Sequence, residues 1–287
     1  VSSEKEEWLY EIKPKDKLLS LNFEEIWRYR DLLLMFVKRD IVTYYKQTIL
    51  GPLWFLIQPL ITSVVQFVIF DVIADIQSDG VPYFLFVLAG NTLWSYFSEC
   101  FKSTSDTFKT NQSIFGKVYF PRVIMPLSVT VSSLLKFGIQ FALFITVLLY
   151  CCYRGLDVHP NWTALFIPFI LLTMALLSLG FGMIISSLTT KYRDLTFVVS
   201  FGIQLYMYVT PIIYPLSTAL EKVPEKWHWL LYANPLTNLF EFFKYGFLGK
   251  GTFSIGGLLY SFAFSVIAFL LGLIIFNKTE KSFIDTV

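Results

Sequence analysis

Six stretches of the chain are almost free of charge: residues 52–74, 83–101, 127–150, 162–188, 195–215 and 255–276. A helix needs about 20 mostly apolar residues to cross a hydrocarbon core about 30 Å thick. Unpaired backbone groups are too costly in hydrocarbon for a lipid-exposed loop, so each stretch reads as a helix. The fifth is broken near its end by Pro211 and Pro215. Ahead of the first, Leu34, Val37, Ile41 and Tyr44 keep helical spacing, with Arg39, Thr43, Lys46 and Gln47 toward the other face. That pattern predicts a helix lying in the membrane interface and turning into the first span at Leu50-Gly51-Pro52. A plain juxtamembrane anchor fits the same residues. Between spans five and six, residues 216–250 are aromatic and amphipathic, with Trp227, Trp229, Phe240, Phe242 and Phe243, and too polar to span. Short helices dipping into the outer leaflet are expected there, because a structureless loop of that length is unusual.

The predicted fold is an all-α integral membrane protein. It has six transmembrane helices, an N-terminal amphipathic interface helix, and short re-entrant outer helices between spans five and six. Residues 1–50 read as a cytoplasmic segment and 51–287 as the six-span domain. Composition agrees: 15% of residues are charged, against roughly 25% in a soluble domain.

Charge sets the orientation. With the amino end inside, 17 of the 23 Lys and Arg fall in the cytoplasmic parts 1–50, 102–122, 189–194 and 277–287. Five fall in the outer parts, and Lys136 lies within span three. Cytoplasmic loops are the ones enriched in Lys and Arg, so both termini are placed inside. No run in the first 50 residues resembles a cleavable signal peptide. The basic face suits anionic lipid, and no nucleic-acid patch emerges.

Candidate chemistry is sparse. A phosphate-binding loop needs Gly-Lys followed by Ser or Thr, whereas Gly116-Lys117 precedes Val118 and Gly249-Lys250 precedes Gly251. No cytoplasmic loop has room for a nucleotide-binding domain, so work driven by ATP would need a separate ATPase chain. Cys100, Cys151 and Cys152, with His159 and His228, form no metal or disulfide spacing. Lys136 is an intramembrane charge and so a functional candidate; snorkelling or a helix–helix contact is the other reading. No run of acids or histidines at mid-membrane builds a proton relay. Without an inverted repeat, six spans make a better half of a dimer than a self-contained carrier.

Four motifs stand in order along the chain: Arg39-Asp40 through Leu50-Gly51-Pro52 and Trp54; Phe120-Pro-Arg-Val-Ile-Met-Pro-Leu-Ser128; Lys191-Tyr-Arg-Asp194; and Thr210-Pro-Ile-Ile-Tyr-Pro215, followed by Ala233-Asn-Pro235. A short helix before Pro121 would present Phe115, Lys117 and Tyr119 to a partner, or the stretch is a tight loop. Taken together, the motifs resemble the membrane permease of bacterial ABC exporters for lipid-linked polysaccharides, the family that exports O antigen, capsular polysaccharide and wall teichoic acid. The resemblance covers essentially the whole chain.

It implies a homodimer in the bacterial cytoplasmic (inner) membrane with two ABC ATPase subunits beneath, which carry the ATP and Mg. This chain itself then has no cofactor and no catalytic residue. Residues 31–48 become the interface helix and about 108–121 the coupling helix, with Arg39, Phe115, Lys117, Tyr119 and Arg122 as ATPase-coupling residues. Residues 211–250 become the outer gate, with Pro211, Tyr214, Pro215, Asn234 and Pro235 as its markers. The substrate is a glycan on a polyprenyl diphosphate carrier, entering between spans one and five.

Aromatic rings offer flat apolar faces to a sliding sugar chain. The channel candidates are Trp54, Phe55, Phe67 and Phe70 in span one, Trp94, Tyr96 and Phe97 in span two, and Phe197, Phe201, Tyr206, Tyr208 and Tyr214 in span five. Packing and interfacial belts use the same residues. Competing readings are a permease for a drug or small lipid, an ATP-independent flippase or ion-coupled carrier, and a membrane-embedded glycosyltransferase. The last lacks an acidic cluster for a metal.

Overall fold

The computed structural model describes residues 23–46, 50–115, 120–192 and 194–284. Among the described residues every regular element is helical. In chain order they are α1 (Phe23–Arg28), α2 (Arg30–Tyr45), α3 (Trp54–Gln66), α4 (Tyr83–Ser105), α5 (Thr107–Thr110), α6 (Gln112–Phe115), α7 (Ile124–Tyr153), α8 (Ile167–Lys191), α9 (Leu195–Val209), α10 (Leu216–Lys222), α11 (His228–Ala233), α12 (Pro235–Leu248) and α13 (Ile255–Ile284). A π-helical stretch, Phe67–Ile73, extends α3.

Among the described residues, four helical segments are long and apolar enough to cross a membrane: Gly51–Ile73, Ile124–Tyr153, Trp162–Lys191 and Ile255–Thr279. They coincide with the first, third, fourth and sixth apolar stretches. The second stretch is α4, which is long but more polar. It sits at the centre of the bundle, packed by α3, α7, α8 and α12. Most of its side chains are buried in protein, so Asn91 and Thr92 find partners there rather than lipid. Asn91 donates to Ser63 Oγ (2.9 Å) and Gln66 Oε1 (2.8 Å) of α3. The fifth stretch is α9, 15 residues long, or roughly 22 Å at 1.5 Å per residue.

Helix α13 lies along α8 through a crossing that only small residues permit. A Cβ on Gly272 would stand 2.3 Å from the Gly180 carbonyl oxygen, and one on Gly180 would stand 2.5 Å from the Ala268 carbonyl carbon. Close backbone approach through small residues is how apolar helices associate when lipid is as apolar as they are.

Helix α2 packs on α7, with Phe36 buried and Leu32 and Leu33 against the same cluster. Leu34, the first residue of the expected apolar stripe, is 59% exposed. The run Leu32–Val37 is apolar all round the helix, so spacing alone did not choose the face; packing on α7 did.

Pro59 sits inside α3. It lacks the N–H that would bond the Phe55 carbonyl four residues back. Gln140 Nε2 of α7 donates to that carbonyl at 3.4 Å. Helix α3 is thus joined to α7 where its own ladder is interrupted.

Candidate functional site

Helix α9 ends at Thr210 because Pro211 follows it. A residue before proline is pushed out of the helical region, and Thr210 is extended, with φ −86° and ψ 137°. The break therefore leaves carbonyls at the end of α9 and in residues 211–213 without helical donors, and side chains fill several of them. Tyr214 Oη donates to the Tyr208 carbonyl at 2.8 Å. Tyr83 Oη of α4 donates to the Ile213 carbonyl at 2.6 Å. Lys244 Nζ of α12 donates to the Pro211 carbonyl at 2.6 Å. Ile212 fits because α4 has Gly90 opposite, where a Cβ would meet its side chain and carbonyl oxygen at 2.8 Å.

Asn234 fastens the same segment. Its side-chain oxygen accepts from the Leu236 amide (3.0 Å) and from Tyr206 Oη (2.6 Å), and its Nδ2 donates to Thr210 Oγ1 (3.0 Å). It is also the N-cap of α12, with Pro235 in the first turn, a favourable start because the Asn oxygen accepts from a first-turn N–H and proline has no N–H that would need an acceptor. The helix stops at Gly249, left-handed at φ 75°. A side chain there would meet the His159 carbonyl oxygen at 2.8 Å. Of the residues assigned to the outer gate, Pro211, Pro215, Asn234 and Pro235 are buried and Tyr214 is half-buried. They lie in one hydrogen-bonded unit with Tyr206, one of the aromatic candidates.

Two charged residues of this unit escaped the sequence reading, Glu241 and Lys244. Both are buried, at 3% and 1% exposure. The Lys244 ammonium stands 3.7 Å from the Phe86 ring centroid. The Glu241 carboxylate accepts from the Thr252 amide at 3.2 Å. Burial pushes the Lys244 ammonium down to about 8 and raises the Glu241 carboxyl above its ordinary range. The signal was present: acid and base stand one turn apart in Phe240-Glu-Phe-Phe-Lys244. Nearby, Lys250 (2.9 Å) and His159 (3.1 Å) pair with Asp157 and hold its carboxyl below the usual range.

The other aromatic candidates divide into two sets. Trp94, Tyr96 and Phe97 are buried, Trp94 packing on Phe97 (5.6 Å) and Tyr206 (6.1 Å), and Tyr96 on Phe137 (5.7 Å). Phe55 is buried, and Phe67 and Phe70 are half-buried against the core. Trp54, Phe197, Phe201 and Tyr208 are exposed, Phe197 at 80%.

At the opposite end of the bundle, Phe108 stacks on Phe276 (4.6 Å), and Phe115 meets Phe108 (5.9 Å) and Phe120 (5.8 Å). The Arg122 guanidinium lies over the Phe115 ring at 4.9 Å. Phe115 and Arg122 are thus turned inward, while Arg39 is exposed and pairs with Asp40 at 2.8 Å. Lys117 and Tyr119 lie outside the described residues. Arg39, Asp40 and Thr43 line a cleft of about 310 Å³ with Lys102, Ser103, Asp106 and Ser132. Lys136 makes a helix–helix contact, paired with Glu99 of α4 at 3.0 Å. Among the described residues no group of His, Cys, Asp and Glu could hold a metal ion.

Comparison with known proteins matches residues 31–248 to the model of the ABC-2 type transporter family. The chain is similar to the O-antigen export system permease protein RfbA of Klebsiella pneumoniae, 31% identical over 260 residues, covering 89% of this chain and 94% of that protein. The protein of the same name from Myxococcus xanthus is 27% identical over 215 residues, 75% of this chain and 79% of its own length. The polysialic acid transport protein KpsM of Escherichia coli is 22% identical over 255 residues, 86% and 93% of the two chains.

Proposed function

Because this chain belongs to the ABC-2 type transporter family, we propose that it is the membrane permease of a polysaccharide exporter, moving a lipid-linked glycan out of the cytoplasm across the inner membrane. The observation that carries this reading is near full-length similarity to permeases named for O-antigen export. ATP is hydrolysed on two separate ATPase subunits, which bind near α2 and the 108–121 stretch. In this reading α4 and α9 complete a six-span unit with the four long apolar helices, and both termini are cytoplasmic. Residues 211–250 are the outer gate.

The unit works as a homodimer. Helix α9 is apolar yet has one buried residue, Ile203. It presents Phe197, Val198, Phe201, Leu205 and Tyr208 on an open flank, as does α3 with Ile61, Val64, Val65 and Val68. A second copy facing these flanks would enclose a passage with aromatic walls. Rings that meet sugar C–H faces without fixed hydrogen bonds let a polymer slide.

The test is export in a cell that makes the glycan. Loss of this chain should leave finished lipid-linked glycan on the cytoplasmic side, and restoring the chain should return it to the outside. Normal surface glycan without the chain would refute the reading.

A further inference from the structure

Lys244 is a cation enclosed in an aromatic helix. A lysine this deeply buried is rarely kept unless its charge has partners. Here the partners come from four places in the chain. The Pro211 carbonyl accepts from it at 2.6 Å, and that carbonyl has a specific need. Its helical donor would be the N–H of the residue four places on, which is Pro215 and has none. The Phe86 ring of α4 faces the ammonium at 3.7 Å. The charged groups around it are Glu241, one turn back on α12, and Asp79, which accepts from Ser217 Oγ of α10 at 3.0 Å.

We propose that Lys244 is the positioning residue of the exit segment: by donating to the Pro211 carbonyl it ties the broken end of α9 to α12, and residues 210–215 stay closed until α12 itself shifts. This rests on the reading of residues 211–250 as the outer gate. The prolines create the need and the lysine meets it. A neutral side chain of the same length would fill the space and leave the carbonyl without a donor.

The test uses the full permease with its ATPase partner in native membranes. Cys100, Cys151 and Cys152 are replaced, and Ile213, buried at 1% exposure, becomes the sole cysteine (Ile213→Cys). A membrane-impermeant maleimide is added from outside. Lys244→Met should speed labelling about tenfold or more, the consequence of losing a hydrogen bond from a charged donor. Lys244→Arg, which keeps a charged donor, should stay within about threefold of the parent. If Lys244→Met does not assemble, Lys244→Leu, which likewise has no donor, takes its place and should label faster than Lys244→Arg; equal rates would overturn the proposal. Unchanged labelling in Lys244→Met would also overturn it, whatever happens to export. Faster labelling with export at the parent rate would leave the tie standing and remove the gate reading.

Discussion

The phenol of Tyr206 donates to the side-chain oxygen of Asn234 at 2.6 Å, joining the last turns of α9 to the N-cap of α12. One residue came from the list of channel aromatics and the other from the gate motif. Their contact joins the broken end of α9 and the start of α12 in a single hydrogen-bonded unit.

Asn234→Ala removes three hydrogen bonds at once: the cap on Leu236, the acceptor for Tyr206 and the donor to Thr210. Loss of a cap and a buried network costs about 1–3 kcal/mol. The detergent-solubilised complex should melt several degrees lower, and export should fall. Asn234→Asp keeps the acceptor and should lose less of both. Equal losses would show that the acceptor role is unimportant.

The Pro59 interruption predicts a coupling. Gln140→Leu leaves the Phe55 carbonyl without its side-chain donor, at a cost of about 1–3 kcal/mol. In a Pro59→Ala background the backbone supplies an N–H, and the same substitution should cost much less. A double-mutant cycle on thermal unfolding reads the difference directly.

The α8–α13 crossing tolerates no added carbon. Gly272→Ala places a methyl against the Gly180 backbone, and overpacking of this kind costs about 1–3 kcal/mol or more. Folded yield should drop sharply. Gly138→Ala, with open space at its Cβ position, serves as the control and should be neutral or mildly stabilising in a helix.

Lys244 predicts a pH dependence. Burial lowers its folded-state value from 10.5 to about 8. Between those two values the unfolded chain holds the extra proton, so stability rises with pH in that window. Below it both states are protonated and this contribution is flat. Glu241, raised by burial from 4.5, acts with the opposite slope just above its ordinary range, where the folded state holds the extra proton. The melting temperature of the parent should therefore gain on that of Lys244→Met between about pH 8 and pH 10. Parallel curves would contradict the assignment.

Local punctuation was legible in the sequence. Pro211 ends α9, Asn234-Pro235 opens α12, and four apolar runs became long apolar helices, because each depends on residues close in sequence. Partnerships across the fold were not. The face of α2, the inward turn of Phe115 and the burial of Lys244 depend on which helix lies alongside. Helix α4 shows the limit most clearly. Its polar residues weaken its apolar signal, and they are tolerated because neighbouring helices, rather than lipid, surround it. Orphaned carbonyls are a signal that sequence does carry: a proline marks an acceptor four residues earlier that some side chain must satisfy.

The most direct test of the central claim is purification of the tagged chain from native membranes in mild detergent, identifying bound subunits and assaying ATP hydrolysis with and without lipid-linked glycan. An ATPase chain in stoichiometric amount, with hydrolysis that responds to the glycan, is the predicted result. The chain alone, with no hydrolysis and no partner even after cross-linking, would contradict the exporter account.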